Sequence, residues 1–266
     1  MTRIVHFLLH VPKCAGTTVE AHFESYLGPY FAYAPRWENV LRNVLGNRYH
    51  RREVPDYAEI LAVSGHSLSQ GMSALFPGAE IRPSVLLRDP AGYLLSFYNY
   101  RWTRHSEGWG PEPPPFKRWY ASQRRNPISR FLMNRYFEVG VPTLYRFSSA
   151  GRLAFLEKRL ADFHFVGSYR HAGELIAGIS DELGITDTVA NRNVTPVKKL
   201  IAADLSIEMR RRIERDNVLD QALFDRWADR KWSGVPEGPP PDLPTNDQAS
   251  YMTGDALSGI RKKLIA

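Results

Sequence analysis

The order in which short apolar runs and helical patterns alternate is the strongest constraint on how this chain folds. Residues 4–9 form a short apolar run that reads as a strand, and Pro12, which cannot donate to a ladder, stops it. Gly16-Thr17-Thr18 then opens a helical pattern through Val19, Phe23, Tyr26 and Leu27, with Thr17 as its expected cap and Gly28-Pro29 as its end. The unit recurs. Residues 60–64 read as a second strand ending at Gly65-His66. Residues 84–87 read as a third, followed by Arg88-Asp89-Pro90 and a helix over 91–104. Residues 164–167 read as a late strand, with a helix over 172–183. Strands separated by helices pair in parallel through crossover connections, so the expected fold is α/β, a parallel sheet flanked by helices. Ligands of such sheets bind where the strands end at their carboxyl side.

The rest of the chain reads as helical with interruptions. A weaker helix is expected over 37–45, a basic one over 116–137, an amphipathic one over 151–163, and one or two more over 205–232. Residues 108–115 (GWGPEPPP) form a loop. The Pro-rich stretch 235–244 marks the end of the compact core, and 251–266 form either a docked helix or a mobile tail. The expected organisation is one domain over 1–234 with a Pro-rich segment and tail over 235–266. There is no internal repeat.

Composition narrows the class. With 43% hydrophobic residues the 266-residue chain is not disordered. Its single cysteine, Cys14, makes neither an intrachain disulfide nor a multi-thiolate metal site, which suits a reduced compartment. No apolar run approaches the roughly 20 residues that cross a bilayer. The opening MTRIVHFLLHVPK has no small-residue cleavage site, so it reads as a strand rather than a signal peptide. The expectation is a soluble, cytoplasmic protein. The net charge of +7 suits a polyanionic ligand, and on charge alone nucleic acid is one of the readings.

Each of three loops after a proposed strand carries unusual chemistry. The first, Pro12-Lys13-Cys14-Ala15-Gly16-Thr17-Thr18, places a lysine, a close-approach glycine and two hydroxyls at a helix start, where free N–H groups attract anions. It equally fits an ordinary strand–turn–helix. It is not a Walker A loop, because its lysine precedes the glycine by three residues. The second, Arg88-Asp89-Pro90, has Ser96 about two helical turns into the following helix, so both can converge on one anion. Alternatively, Arg88 pairs with Asp89. The third, Ser64-Gly65-His66-Ser67, puts a histidine beside a crevice, suited to proton transfer or to a structural role.

Together these loops resemble a known family. The stretch from Pro12 to Thr18 is similar to the 5′-phosphosulfate loop of sulfotransferases. Val85-Leu86-Leu87-Arg88-Asp89-Pro90 with Ser96 and Tyr98 is similar to their 3′-phosphate motif, and Gly65-His66 to the step that carries the base in the heparan sulfate and uronyl 2-O-sulfotransferase branch. Weaker matches are Phe165-Val166-Gly167, Asn191-Arg192-Asn193 with Thr195, and the stretch 220–224. The resemblance covers roughly residues 4–232. It implies a P-loop-like fold and the donor 3′-phosphoadenosine 5′-phosphosulfate (PAPS), with adenosine 3′,5′-bisphosphate (PAP) as product. It further implies transfer to a hydroxyl of a saccharide or glycoconjugate. Carried over, Lys13, Cys14, Ala15, Gly16, Thr17 and Thr18 cradle the phosphosulfate, Arg88 and Ser96 hold the 3′-phosphate, and Thr195 and Lys198 contact the donor. Arg261-Lys262-Lys263 is another source of that last charge, or a solvated tail. No apolar anchor precedes the first loop, unlike the Golgi enzymes of this branch, and the R-K-G-x-x-G-D stretch of the small-molecule branch is missing.

The implied chemistry is in-line displacement, with His66 as general base and Lys13 stabilising the leaving phosphate. No metal is called for, since a sulfuryl group carries less charge than a phosphoryl group and nothing resembles a Walker B site. Asp89 reads as structural. Tyr98, Arg101, Trp102, Arg104, His105 and Trp109 form an aromatic and basic cluster that reads as an acceptor face or as a solvated helix surface. Arg118, Trp119, Tyr120, Arg124, Arg125 and Arg130 extend it beyond the proline loop. Without a recognition motif the cluster gives nucleic acid little support. Cys14, beside Lys13 and a helix start, reads as a low-pKa thiol or as a small loop residue. The competing classes are an ATP-dependent P-loop kinase and a non-catalytic nucleotide-binding protein of the same fold.

Overall fold

The computed structural model describes residues 2–34, 58–144, 146–186, 198–232 and 236–243. Its centre is a sheet of β1 (Ile4–Leu9), β2 (Phe31–Tyr33), β3 (Ala62–Gly65), β4 (Glu80–Leu87) and β5 (Phe165–Ser168). The order is β2-β3-β1-β4-β5 and every pairing is parallel. Val5, Phe7 and Leu8 on the central strand are buried, because a parallel sheet is covered on both faces; hence β1 reads as a run rather than an alternation. The register sets Leu9 beside both Gly65 and Val85, and Leu87 beside Ser168. The loops leaving β1, β3, β4 and β5 therefore emerge along one edge.

Around the sheet lie α1 (Gly16–Leu27), α2 (Pro90–Ser106), α3 (Phe116–Ala121), α4 (Pro127–Phe131), α5 (Val141–Leu144), α6 (Ser149–Leu160), α7 (Ala172–Leu183), α8 (Ile207–Asp216) and α9 (Val218–Trp227). Helices α1 and α7 pack together, with His22 and Ser180 hydrogen-bonded at 3.0 Å. Helix α9 packs on α4, α6 and β5, and its Trp227 is fully buried. Helix α2 leaves the carboxyl end of β4. Its cap is Asp89, whose carboxylate accepts from the Gly92 N–H at 2.6 Å, with Pro90 at the first helical position.

Four sequence expectations need correction. β2 was not expected; a three-residue strand after Gly28-Pro29 is too short to show a period, and it exists because it pairs with β3. The single helix over 116–137 is broken in two places. Asn126 sits at φ +48° and Pro127 restarts the chain as α4, which then passes into a π turn at Leu132–Tyr136. Third, Thr17 is not the cap of α1. The capping position is Ala15, at φ +66°, and no side chain caps the helix. Fourth, β4 starts at Glu80 rather than at 84. The helix expected over 37–45 and the tail over 251–266 lie outside the described residues.

The break at Asn126 is stabilised from α9. The Asn126 carboxamide oxygen accepts from the N–H groups of Leu219 and Asp220, at 3.0 and 3.1 Å. Asp220 in return accepts from the N–H groups of Ile128 and Ser129, both at 2.8 Å, and from the Ser129 hydroxyl. Each helix start thus satisfies the orphan donors of the other. Burial pushes the Asp220 carboxyl up to about 6, and those donors pull the other way.

Candidate functional site

The loop between β1 and α1 bends by using the left-handed region twice, at Lys13 (φ +64°) and Ala15 (φ +66°). Each such residue costs roughly 1–2 kcal/mol without a glycine. Backbone strain of this kind gathers at ligand loops, and alternating conformations turn successive N–H groups to one side as an anion concavity. Gly16 follows because nothing larger fits: a Cβ there would lie 2.1 Å from the His10 ring.

This loop forms one wall of a cavity of about 630 Å³ at the carboxyl edge of the sheet. Lys13, Ala15, Gly16, Thr17 and Thr18 line it from the first loop, and Arg88, Leu95, Ser96 and Asn99 from β4 and α2. Tyr169 and Arg170 line it from the turn after β5, and Lys198, Leu200 and Ile201 from the far side. Arg88, Ser96 and Lys198 therefore line the same cavity as the first loop. Thr195 and the 191–193 stretch lie outside the described residues.

Lys13 and Arg88 are neighbouring cations in the cavity wall, with Asp89 the carboxylate that lines it beside them. Burial, and then the neighbouring Arg88 charge, pull the Lys13 ammonium below its ordinary value. Its Nζ rests over the Tyr100 ring, 4.1 Å from the centroid. Arg88 does not pair with Asp89. Its Nη1 donates to the Lys13 carbonyl at 3.0 Å, and its guanidinium lies 4.2 Å from the Tyr169 ring centroid. Its Nε is buried with no hydrogen-bond partner among the described residues. A bound anion answers both conditions, giving the orphaned donor an acceptor and separating two like charges.

His66 stands at the margin of this cavity and does not line it. Gly65, at φ +137°, turns the chain out of β3. The His66 ring then packs against His10, with centroids 4.0 Å apart, and Nδ1 lies 2.7 Å from the His10 carbonyl oxygen. A carbonyl only accepts, so the Nδ1 of His66 carries a proton. His66 is exposed to solvent.

Cys14 occupies the loop but faces inward. It is 1% exposed, and burial pushes its thiol up, outweighing the lowering effect of Arg88 and Lys13. This corrects the low-pKa reading. None of Tyr98, Arg101, Trp102, Arg104 and His105, expected as an acceptor face or a solvated helix surface, lines this cavity. Tyr98 is buried and donates to the Pro114 carbonyl at 3.0 Å, and His105 Nδ1 donates to the Gly110 carbonyl at 3.1 Å. Arg104 lies 5.0 Å over Trp109. These contacts hold the 108–115 loop. Trp102 carries Lys199 on its ring at 4.7 Å, Arg101 is exposed, and Trp119 and Tyr120 belong to the core.

The sequence reading missed His10, Asn99, Tyr169 and Arg170. Asn99 holds the far wall, its Nδ2 donating to the Leu200 carbonyl at 2.8 Å and its Oδ1 accepting from the Leu200 N–H at 3.1 Å. It lies three residues after Ser96, on the same helix face, which was a usable signal. Tyr169 and Arg170 follow β5 as the other loops follow their strands.

Among the described residues, one group has metal-ligating chemistry: His6, His164 and Glu182. None of the three lines the cavity. Glu182 already accepts from Arg82 Nη1 at 2.6 Å and lies 2.7 Å from His164, and that guanidinium opposes a second cation. No helix among the described residues is long and apolar enough to cross a membrane. No protein-family model, no curated protein and no solved structure matches the chain.

Proposed function

We propose that the chain is a sulfotransferase that moves the sulfuryl group of PAPS to a hydroxyl of a saccharide or glycoconjugate. The observation that carries the reading is the Lys13–Arg88 pair. Two mutually repelling cations, one with a buried orphaned Nε, flank a strained loop at the carboxyl edge of a parallel sheet. The cavity has the size of a nucleotide site and cationic groups along its walls, which fits a ligand with anionic groups at both ends of a nucleoside.

PAPS supplies an activated sulfuryl group on a phosphate leaving group, so the protein's part is placement and charge stabilisation. Lys13 and the first turn of α1 hold the 5′ end and stabilise charge on the departing phosphate. Arg88 and Ser96 hold the 3′-phosphate, Arg88 through its forked guanidinium. His66 Nε2 takes the proton of the attacking hydroxyl while Nδ1–H stays on the His10 carbonyl. Lys198 adds charge from the far wall.

The test has two arms. Isothermal titration should show 1:1 binding of PAP in preference to ADP. Isotope-labelled PAPS with a saccharide pool should then give labelled product, identified by mass spectrometry. Transfer from ATP instead would replace this reading by a kinase. PAP binding without transfer to any saccharide would leave a non-catalytic nucleotide-binding protein.

A further inference from the structure

The mechanism above leaves one built pair unused, His10 and Glu20. His10 Nδ1 lies 2.7 Å from Glu20 Oε2, and each side chain is only 10% exposed. The other carboxylate oxygen, Oε1, lies 2.9 Å from Ser64 Oγ, whose one proton is shared with the Leu8 carbonyl at 2.8 Å. Glu20 stands one helical turn into α1 and does not line the cavity, whereas His10 does. The carboxylate is therefore the anchor and the ring is the face it presents. Gly16 leaves the room that the ring occupies, and a Cβ there would fall 2.7 Å from Nε2.

With Nδ1–H directed at a carboxylate, the ring's remaining nitrogen, Nε2, lies close against the loop that carries Lys13. The charged groups around the ring are Glu20 on α1, Lys13 in the loop, Arg88 after β4, Arg170 after β5 and Lys198 on the far wall. His66 lies against it, and Asp89 is occupied by the Gly92 N–H. The four cations outnumber the two carboxylates, Glu20 and Asp89, until a polyanion enters, and the ligand reverses that balance.

We propose that His10, oriented by Glu20, is a donor-contact residue: as the anionic ligand binds, Nε2 takes a proton from solvent and donates it to a ligand oxygen beside Lys13. Glu20 is the positioning residue that accepts from the other side of the same imidazolium. His66 then remains the base, and the two adjacent histidines have opposite tasks. The proposal rests on the donor reading, and its experiment separates the two.

PAP binding to the full chain is measured by isothermal titration near pH 7.5, in two buffers of different ionisation heat, for wild type, His10→Gln, Glu20→Gln and His66→Gln. Wild type should take up close to one proton more than His10→Gln and bind about tenfold tighter, as expected for loss of one charge-assisted hydrogen bond. Glu20→Gln should lose the same uptake, and His66→Gln should keep it. Any proton change from Lys13 or the phosphates is common to all four and cancels. A purely packing role for His10 lowers the melting temperature and leaves proton uptake unchanged. Equal uptake and equal affinity in wild type and His10→Gln overturn the proposal alone, whether or not Glu20→Gln folds. Failure of wild type to bind PAP overturns the donor reading and this proposal with it.

Discussion

Arg88 Nη1 donates to the carbonyl oxygen of Lys13 across 3.0 Å, joining the loop after β4 to the loop after β1. The bond consumes one guanidinium proton and fixes the plane of the rest, including the buried Nε. It also supports a loop that is strained at Lys13 and Ala15. Arg88 thus braces the loop after β1, and under the proposed function it is a ligand group as well.

That double role makes Arg88→Lys a poor replacement. Lysine keeps the charge but loses the fork, so one cation cannot both brace the loop and hold a phosphate. Arg88→Lys and Arg88→Ala should both weaken PAP binding, by about 2 kcal/mol or roughly 30-fold. Calorimetric titration checks this, and wild-type affinity in either variant counts against the assignment.

His66 lies outside the cavity lining, so its loss should separate catalysis from binding. His66→Ala is expected to abolish transfer from labelled PAPS while PAP binds nearly as tightly as to wild type. Normal turnover in that variant would remove His66 from the base role.

The parts of this site that were legible in the sequence are those fixed locally. Pro12, Gly16 and Pro90 act within a few residues of themselves, and β1, the end of β4 and the start of α2 followed from them. Lys13 and Arg88 were found because each follows a strand end, and Ser96 because it lies about two helical turns into α2, where it can converge with Arg88. What the sequence concealed depends on distant partners. The break at Asn126 is held by α9, more than ninety residues away. Tyr98 looked like a sugar-facing aromatic and is instead tied to Pro114, because its side of α2 packs against Phe116 and Trp119 of α3. Cys14 looked activated by charge, but its burial outweighs that charge.

Cys14 should accordingly be inert. The reactive species is the thiolate, and burial holds this thiol in its neutral form. In the folded protein at pH 8 a disulfide reagent should label it slowly or not at all, and full labelling should appear only in denaturant. Rapid stoichiometric labelling under native conditions would restore the activated-thiol reading.

Asp220→Ala should be among the most destabilising single substitutions. It strands the N–H groups of Ile128 and Ser129 in a dry environment, each worth about 1–3 kcal/mol. A loss of roughly 3 kcal/mol or more in urea unfolding is expected. Asp220→Asn, which keeps one acceptor oxygen, should lose less. A loss under 1 kcal/mol for the alanine variant would mean that water reaches those donors.

The acid side of the stability profile sets Asp220 against His6. Burial is the main cause that lowers His6 from 6.5 to about 4. Below pH 6.5 the unfolded chain therefore binds a proton that the folded one refuses. Stability from this group is complete above pH 6.5 and is lost as the pH falls towards 4, by roughly 3 kcal/mol. Asp220 runs the other way, raised from 3.8 to about 6, so between those values the folded state holds the extra proton and stability grows as the pH falls. Its span is also roughly 3 kcal/mol. In wild type the two slopes largely cancel between pH 6 and 4. His6→Phe removes the falling limb and also two buried ring nitrogens that have no hydrogen-bond partner among the described residues. Relative to wild type it should become progressively more stable as the pH is lowered from 6.5 to 4. Asp220→Asn should become progressively less stable over pH 6 to 4. Urea midpoints taken across this range in all three proteins check the pair of slopes, and parallel profiles would show that neither group titrates as its burial requires.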